Sequence, residues 1–319
     1  HQTERAIVKY RRVGKSGLSI SEISLGAWLT YGRSVDDKKT EKIIRNAVDS
    51  GVNFIDIADV YAKGKAEEAV GKCIKPLKRS DLVISSKVFW PMSENINDRG
   101  LSRKHIFESI EKTLKRIGTD YLDIYFCHRN DPGTEIEETV RAMGDLIRQG
   151  KTLYWGTSVW DSIQIEKAVT SAKEYNAYAP IVEQPRYNML DRHIEPQIMP
   201  ECNKHGIGLT VWSPLAEGVL TGKYNDGVPK NSRGAESEWM KNDLNPTSIA
   251  NVKKLTNLAE SLGITMSQLA LAWILRRDEI SCAIIGATNE EQLKENLAAS
   301  DVKLSGEVLA KIELILGSK

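Results

Sequence analysis

The sequence predicts a (β/α)8 barrel, and three observations predict it. Eight short apolar segments, at 21–25, 53–57, 82–86, 121–126, 152–156, 181–183, 208–212 and 283–285, alternate with longer amphipathic stretches. These segments show little strict alternation, as expected of parallel strands buried on both faces. The chain has 319 residues, which suits eight strand–helix units. The competing architecture is a doubly wound open sheet. It needs a reversal of strand order, and nothing in the chain supplies one.

Taken in order, residues 8–20 read as a hairpin ahead of the first strand, with Gly14 and Ser16-Gly17 as turn residues. It is placed to plug the N-terminal mouth of the barrel. Helical patterns follow at 36–50, 66–75, 102–117, 135–149, 161–175 and 195–205, in a long stretch ending at Arg277, and at 289–298. Ser102 is a predicted N-cap; Gly51, Gly118, Gly150 and Gly206 stand where helices should stop. Residues 213–246, rich in Gly, Asn, Pro and charge, are too long for an ordinary connection and read as a lid or mobile loop after the seventh strand. No linker interrupts the pattern, so residues 1–319 read as one domain.

Composition excludes several functions. A formal net charge of +1 gives no reason to expect a nucleic acid or an anionic membrane surface. The four cysteines form no C-x-x-C pair, which argues against structural zinc and a disulfide framework. Reduced, buried thiols and no metal are the expectation. No run approaches the ~20 apolar residues of a membrane span. The first residues are polar, and Pro246 disqualifies Asn245 as a glycan acceptor. A cytoplasmic protein without membrane insertion is expected.

Active sites of such barrels lie at the C-terminal ends of the strands. That rule selects Asp56 at the end of the second strand, Tyr61 on its loop, Lys87 at the end of the third and His128 at the end of the fourth. A phenol loses its proton near pH ~10. A lysine ammonium beside it is expected to lower that value, with an aspartate keeping the lysine charged. Tyr61 could then donate a proton to a carbonyl oxygen while His128 orients the carbonyl. Each residue alone has an ordinary structural explanation: a cap, a rim charge, packing. Four of them on three consecutive strands are harder to dismiss.

The stretches Gly51-Val-Asn-Phe-Ile-Asp-Ile-Ala-Asp-Val-Tyr61, Ile84-Ser-Ser-Lys87 and Tyr121-Leu-Asp-Ile-Tyr-Phe-Cys-His128 resemble the aldo-keto reductase superfamily. So do Trp155-Gly-Thr-Ser158, Glu183-Gln184, Trp212-Ser-Pro-Leu-Ala216, Gly222-Lys-Tyr224 and the segment from Ile285 to Asn296. Within it, Leu101-Ser-Arg-Lys-His-Ile106, Val140-Arg-Ala-Met143 and Tyr154-Trp-Gly-Thr-Ser158 resemble the branch containing the β subunits of voltage-gated potassium channels. Vertebrate members of that branch carry Asn where this chain has His128, and the branch carries Arg where it has Val159. The first difference favours a working catalyst. The second puts one rim contact in doubt.

The resemblance implies reduction of aldehydes, and of some ketones, with NADPH: an alcohol dehydrogenase (NADP+) type of activity. No G-x-G-x-x-G follows any strand, and Gly150-Lys151-Thr152 lacks the remainder of a P-loop. The cofactor contacts implied by resemblance are instead Gly26, Trp28 and Asp56; Ser158, Gln184 and Trp212 about the nicotinamide; Ser213, Leu215 and Lys223 about the pyrophosphate; and Gly286, Thr288, Gln292, Glu295 and Asn296 about the adenosine. Thr288 and Gln292 would open the last helix, whose free N–H groups favour a 2′-phosphate, with Arg233 as a second charge. Trp28, Tyr31 and Trp90 are expected to line the pocket for a small carbonyl substrate. The channel branch forms tetramers whereas single-chain reductases are common among relatives, so both states stay open. Two other functions compete: a cofactor-sensing subunit docked on a potassium channel, and a barrel aldolase or isomerase using Lys87 as a Schiff-base nucleophile. The latter needs a neutral lysine, against which Asp56 argues.

Overall fold

The computed structural model describes residues 8–27, 37–227, 238–287 and 289–317. Trp28, Tyr31, Arg233 and Thr288 lie outside them. Two short strands, β1 (Tyr10–Arg12) and β2 (Ser19–Ser21), pair antiparallel as the expected hairpin. Eight parallel strands then close on themselves: β3 (Ile23–Gly26), β4 (Phe54–Asp56), β5 (Val83–Val88), β6 (Leu122–Cys127), β7 (Thr152–Ser158), β8 (Val182–Gln184), β9 (Gly208–Val211) and β10 (Ile280–Ile285), with β10 hydrogen-bonded to both β9 and β3. This is the (β/α)8 barrel that the sequence predicts.

Helices α1 (Asp37–Asp49), α2 (Lys65–Ile74), α3 (Arg103–Ile117), α4 (Ile136–Arg148), α5 (Ser162–Glu174) and α6 (Ile198–His205) cover the first strands. Ser102 caps α3 by accepting from the backbone N–H of His105, and Gly118 and Gly206 end α3 and α6 in the left-handed conformation. Beyond β9 lie α7 (Glu238–Asp243), α8 (Pro246–Ser261), α9 (Met266–Leu275), α10 (Glu290–Leu297) and α11 (Gly306–Leu316).

Three details depart from the sequence reading. The stretch 213–246 is partly structured, with a 3-10 turn at Ala216–Thr221 and α7. The helix ending near Arg277 is two helices: Asn245 caps the first by accepting from Ser248 N–H, and a Thr265–Gln268 capping box starts the second. Residues 289–298 do not form the last helix; α11 follows and packs on α8. No described helix alone is long and apolar enough to cross a membrane. The pair α8 and α9 passes that test together but is bent by 92°. Nine of the ten α9 residues are buried against the barrel wall, so its apolarity is accounted for by the core.

There are two cores because strand side chains alternate. Phe54, Val83, Ile124, Phe126, Val182, Cys282 and Ile284 point inward and fill the barrel with Val13 and Ile20 of the hairpin. Ile55, Ile84, Tyr125, Cys127, Leu209 and Ile285 point outward into a larger apolar layer beneath the helices. The hairpin thus closes the N-terminal mouth, and Arg11 ties it there by donating to the carbonyls of Leu275, Arg277 and Ile280. All four cysteines are free and buried.

Candidate active site

The alternation that fills the barrel also places the polar site. Continuing the inward positions upward from Phe54, Val83 and Phe126 gives Asp56, then Ser85 and Lys87, then His128. On the far wall the same parity gives Ser158, Gln184, Thr210 and Trp212. Asp56, Tyr61, Lys87 and His128 therefore meet at the C-terminal mouth, as the strand-end rule expects.

Lys87 is fully buried, and its Nζ donates to Asp56 Oδ2 at 2.6 Å, to the Ile57 carbonyl at 2.7 Å and to the Tyr61 hydroxyl at 3.5 Å. The Ser85 hydroxyl donates to Asp56 Oδ1 at 2.6 Å, which holds the carboxylate from behind. Gln184 reaches the same oxygen at 3.4 Å and Thr210 Oγ1 at 3.3 Å. The His128 ring stands edge-on to Tyr61 with centroids 5.6 Å apart, and Trp90 stands edge-on to His128 at 6.4 Å. Of the three residues expected in the substrate pocket, Trp90 is the one described. It is 38 % exposed on the rim.

Burial sets the protonation states. It lowers the Lys87 ammonium from its ordinary value, against the pull of Asp56. It lowers His128 well below the usual imidazole range, helped by the positive charges of Lys87 and Arg129, so the ring is neutral at neutral pH. For Tyr61 the sequence expectation is corrected. Burial, reinforced by the Asp56 charge, raises the phenol well above its ordinary value, and the 3.5 Å approach of Lys87 does not reverse this. The phenol is a protonated acid in the resting site.

The residues implied for a cofactor occupy the complementary arc of the wall. Strand order runs β7, β8, β9, β10, β3, so Ser158, Gln184, Trp212–Ser213, Gly286 and Gly26 follow one another around the rim. Three observations fit an extended ligand there. Asn296 Oδ1 is buried with no hydrogen-bond partner. A Cβ at Gly286 would meet no protein atom within 4 Å, so packing does not demand the glycine and the space is open to a ligand. Ser213, Ala216 and Glu217 all hold positive φ, which costs non-glycine residues energy and is typical of backbone shaped for a ligand.

Other members differ from expectation. Gly26 has a packing reason of its own, since a Cβ would come within 2.7 Å of Ile284. Ser158 already donates to the Gln184 carbonyl at 2.8 Å and is left to act as an acceptor. Asn289, not Thr288, caps α10, with its Oδ1 accepting from Gln292 N–H at 2.9 Å. Gln292 is exposed, Glu295 half-buried, Leu215 half-buried and Lys223 exposed, its Nζ 5.2 Å from the Tyr224 ring centroid. Val159, also at positive φ, is 40 % exposed on the rim.

Sequence reasoning missed Ser85 and Thr210, which two-residue periodicity back from Lys87 and Trp212 would have found. It also missed Arg129, Glu183 and Asp59. Glu183 faces outward, accepts from Thr157 and the Trp160 N–H, and is pushed up to about 8 by burial. Asp59 is buried with both carboxyl oxygens unpartnered, and burial raises it well above the carboxylate range.

The model of the Aldo/keto reductase family matches residues 22–316. Among curated proteins, a "Probable voltage-gated potassium channel subunit beta" of Arabidopsis thaliana is 48 % identical over 98 % of both chains. One of the same description from Oryza sativa subsp. japonica is 45 % identical, again over 98 % of each. A "Putative voltage-gated potassium channel subunit beta" of Schizosaccharomyces pombe is 44 % identical over 97 % of this chain and 93 % of its own.

Proposed function

The chain belongs to the aldo/keto reductase family, and from that premise we propose that it reduces aldehydes, and some ketones, to alcohols with NADPH. The observation that carries the proposal is the fully buried Lys87–Asp56 pair behind a protonated Tyr61 hydroxyl, with a neutral His128 beside it. A bound nicotinamide would supply a hydride. Trp212, Gln184 and Ser158 would hold its ring end, Ser213, Leu215 and Lys223 the pyrophosphate, and Gly286, Gln292, Glu295 and Asn296 the adenosine.

As the hydride adds to the carbonyl carbon, the C=O electron pair moves to oxygen, and that oxygen takes the Tyr61 proton. The phenol is a weak acid at rest, so it does not leak its proton to solvent. When the phenolate develops, the Lys87 ammonium stabilises it, and Asp56 with the Ile57 carbonyl keeps that ammonium aimed. A neutral His128 donates one N–H to the carbonyl oxygen without competing as an acid.

General acids contribute about 10²–10⁴-fold. Tyr61→Phe is therefore expected to lower kcat for 4-nitrobenzaldehyde at least ~100-fold, while the NADPH dissociation constant stays within a factor of about two, which single-turnover kinetics and fluorescence titration would measure. A second reading rests on the names of the relatives: a cofactor-sensing subunit of a potassium channel. Tight NADPH binding with negligible turnover in the wild type would favour it.

A further inference from the structure

Among the described residues, the catalytic group has one neighbouring cation that stands outside any ion pair. Lys87 and Asp56 cancel each other. His128 is neutral and Tyr61 protonated. That cation is Arg129, next in sequence to His128 and half-buried. Its guanidinium lies 5.7 Å from the Trp90 ring centroid and donates to the His128 carbonyl at 2.5 Å. Its charge bears on Tyr61, Lys87 and His128.

Among the described residues no carboxylate forms an ion pair with Arg129. Besides the Tyr61 phenol, the group that bears on it is the Glu183 carboxyl, from beyond salt-bridge reach, and burial keeps that carboxyl largely protonated at neutral pH. Asp59, which burial raises well above the carboxylate range, forms no ion pair with it either. Half-buried guanidinium groups are normally matched by an anion, because desolvation penalises an uncompensated charge. The fork geometry of arginine suits a carboxylate in particular. Arg129 also sits on the aromatic rim of Trp90, so an anion there would belong to a molecule whose body covers that ring.

We propose that Arg129 is a specificity-determining residue that selects carbonyl substrates carrying a carboxylate, with the carboxylate on the guanidinium, the substrate body on Trp90 and the carbonyl toward Tyr61 and His128. This rests on the reductase reading and names its substrate class.

The test compares 4-carboxybenzaldehyde with 4-formylbenzamide, a near-isosteric neutral aldehyde, in the NADPH-loaded enzyme. A charge-assisted contact predicts a ratio of kcat/KM about 10- to 100-fold in favour of the carboxylate, expressed mainly in KM and shrinking with added salt. In Arg129→Gln the ratio should fall to near one; Arg129→Lys should keep part of it. Equal use of both aldehydes by wild type, or a preference that survives Arg129→Gln, overturns the inference and leaves the reductase reading intact. If neither aldehyde is turned over, the reductase reading fails. Calorimetric titration with benzoate then decides: binding lost in Arg129→Gln upholds the anion site, and no binding to wild type overturns it.

Discussion

Replacing Lys87 by methionine removes one half of a pair that is almost completely buried, and among the described residues Asp56 is then left with Ser85 and the distant Gln184 amide to stabilise its charge. Breaking such a pair costs about 3–5 kcal/mol, so Lys87→Met should lower urea stability by about that amount as well as activity. Asp56→Asn combined with Lys87→Met should recover part of the loss, because no buried charge remains. A double variant no more stable than the single would show that the pair is not what holds this layer together. His128 offers a pH test. Its pKa is depressed in the folded state, so below the ordinary value of ~6.5 the unfolded chain binds a proton that the folded chain refuses. Stability is thus full above that value and falls as pH drops through it, by up to about 1.4 kcal/mol per pH unit. Urea midpoints of wild type should decline more steeply between pH 7 and 5.5 than those of His128→Gln; parallel profiles would contradict the assignment. Tyr61 shows where sequence reasoning stops at this scale. The phenol and the lysine were legible from strand ends, but the direction of the phenol's shift depends on burial, which neighbouring letters do not encode.

Among the elements, the strands were legible because two-sided burial makes them short apolar runs, and their ends carried the site. The long stretch after β9 was legible as an unusual connection, but its internal structure was not. Its Ala216–Thr221 turn holds Ala216 and Glu217 at positive φ beside Gly218, and for the two non-glycine residues that is a conformation composition does not announce. Helix α11 was overlooked because it covers α8 at the periphery and buries fully only Ile312. Helix contacts make their own predictions. Gly71 lies in the middle of α2, where alanine would ordinarily help by up to ~1 kcal/mol. Here a Cβ would come within 2.3 Å of the Ile117 carbonyl oxygen on α3, a backbone atom that cannot swing aside. Overpacking of that kind costs ~1–3 kcal/mol. The steric effect should win, and Gly71→Ala should melt lower than wild type. Gly14 makes the same point for the hairpin plug, where φ is +54° and a Cβ would lie 2.1 Å from the Gly206 carbonyl oxygen. A turn glycine there was expected from sequence; the contact across the barrel mouth was not.

At the scale of the whole molecule, the closed barrel divides one rim into two arcs. Strands β4, β5 and β6 present the proton-handling group, and β7 to β10 present the surface proposed for the cofactor. Gln184 spans them, from the cofactor arc to Asp56 at 3.4 Å. A ligand seated on the second arc would stabilise the folded barrel by mass action, by about 2.7 kcal/mol at a hundred times its dissociation constant. The size of that gain reports affinity, which allows the two nicotinamide cofactors to be compared without any turnover. They differ by a 2′-phosphate, and the proposed adenosine end offers the start of α10, where Asn289 satisfies the Gln292 N–H but leaves other first-turn donors to a ligand. Arg233 and Lys223, both in the sequence stretch after β9, add positive charge to the proposal. NADPH should therefore raise the melting temperature by several degrees more than NADH at equal concentration; Arg233→Gln should narrow the gap, whereas Lys223→Gln should lower both shifts. Equal shifts from the two cofactors would mean that the phosphate is not read at this end of the barrel, and the preference for NADPH would have to be given up while the reductase chemistry of the other arc stood.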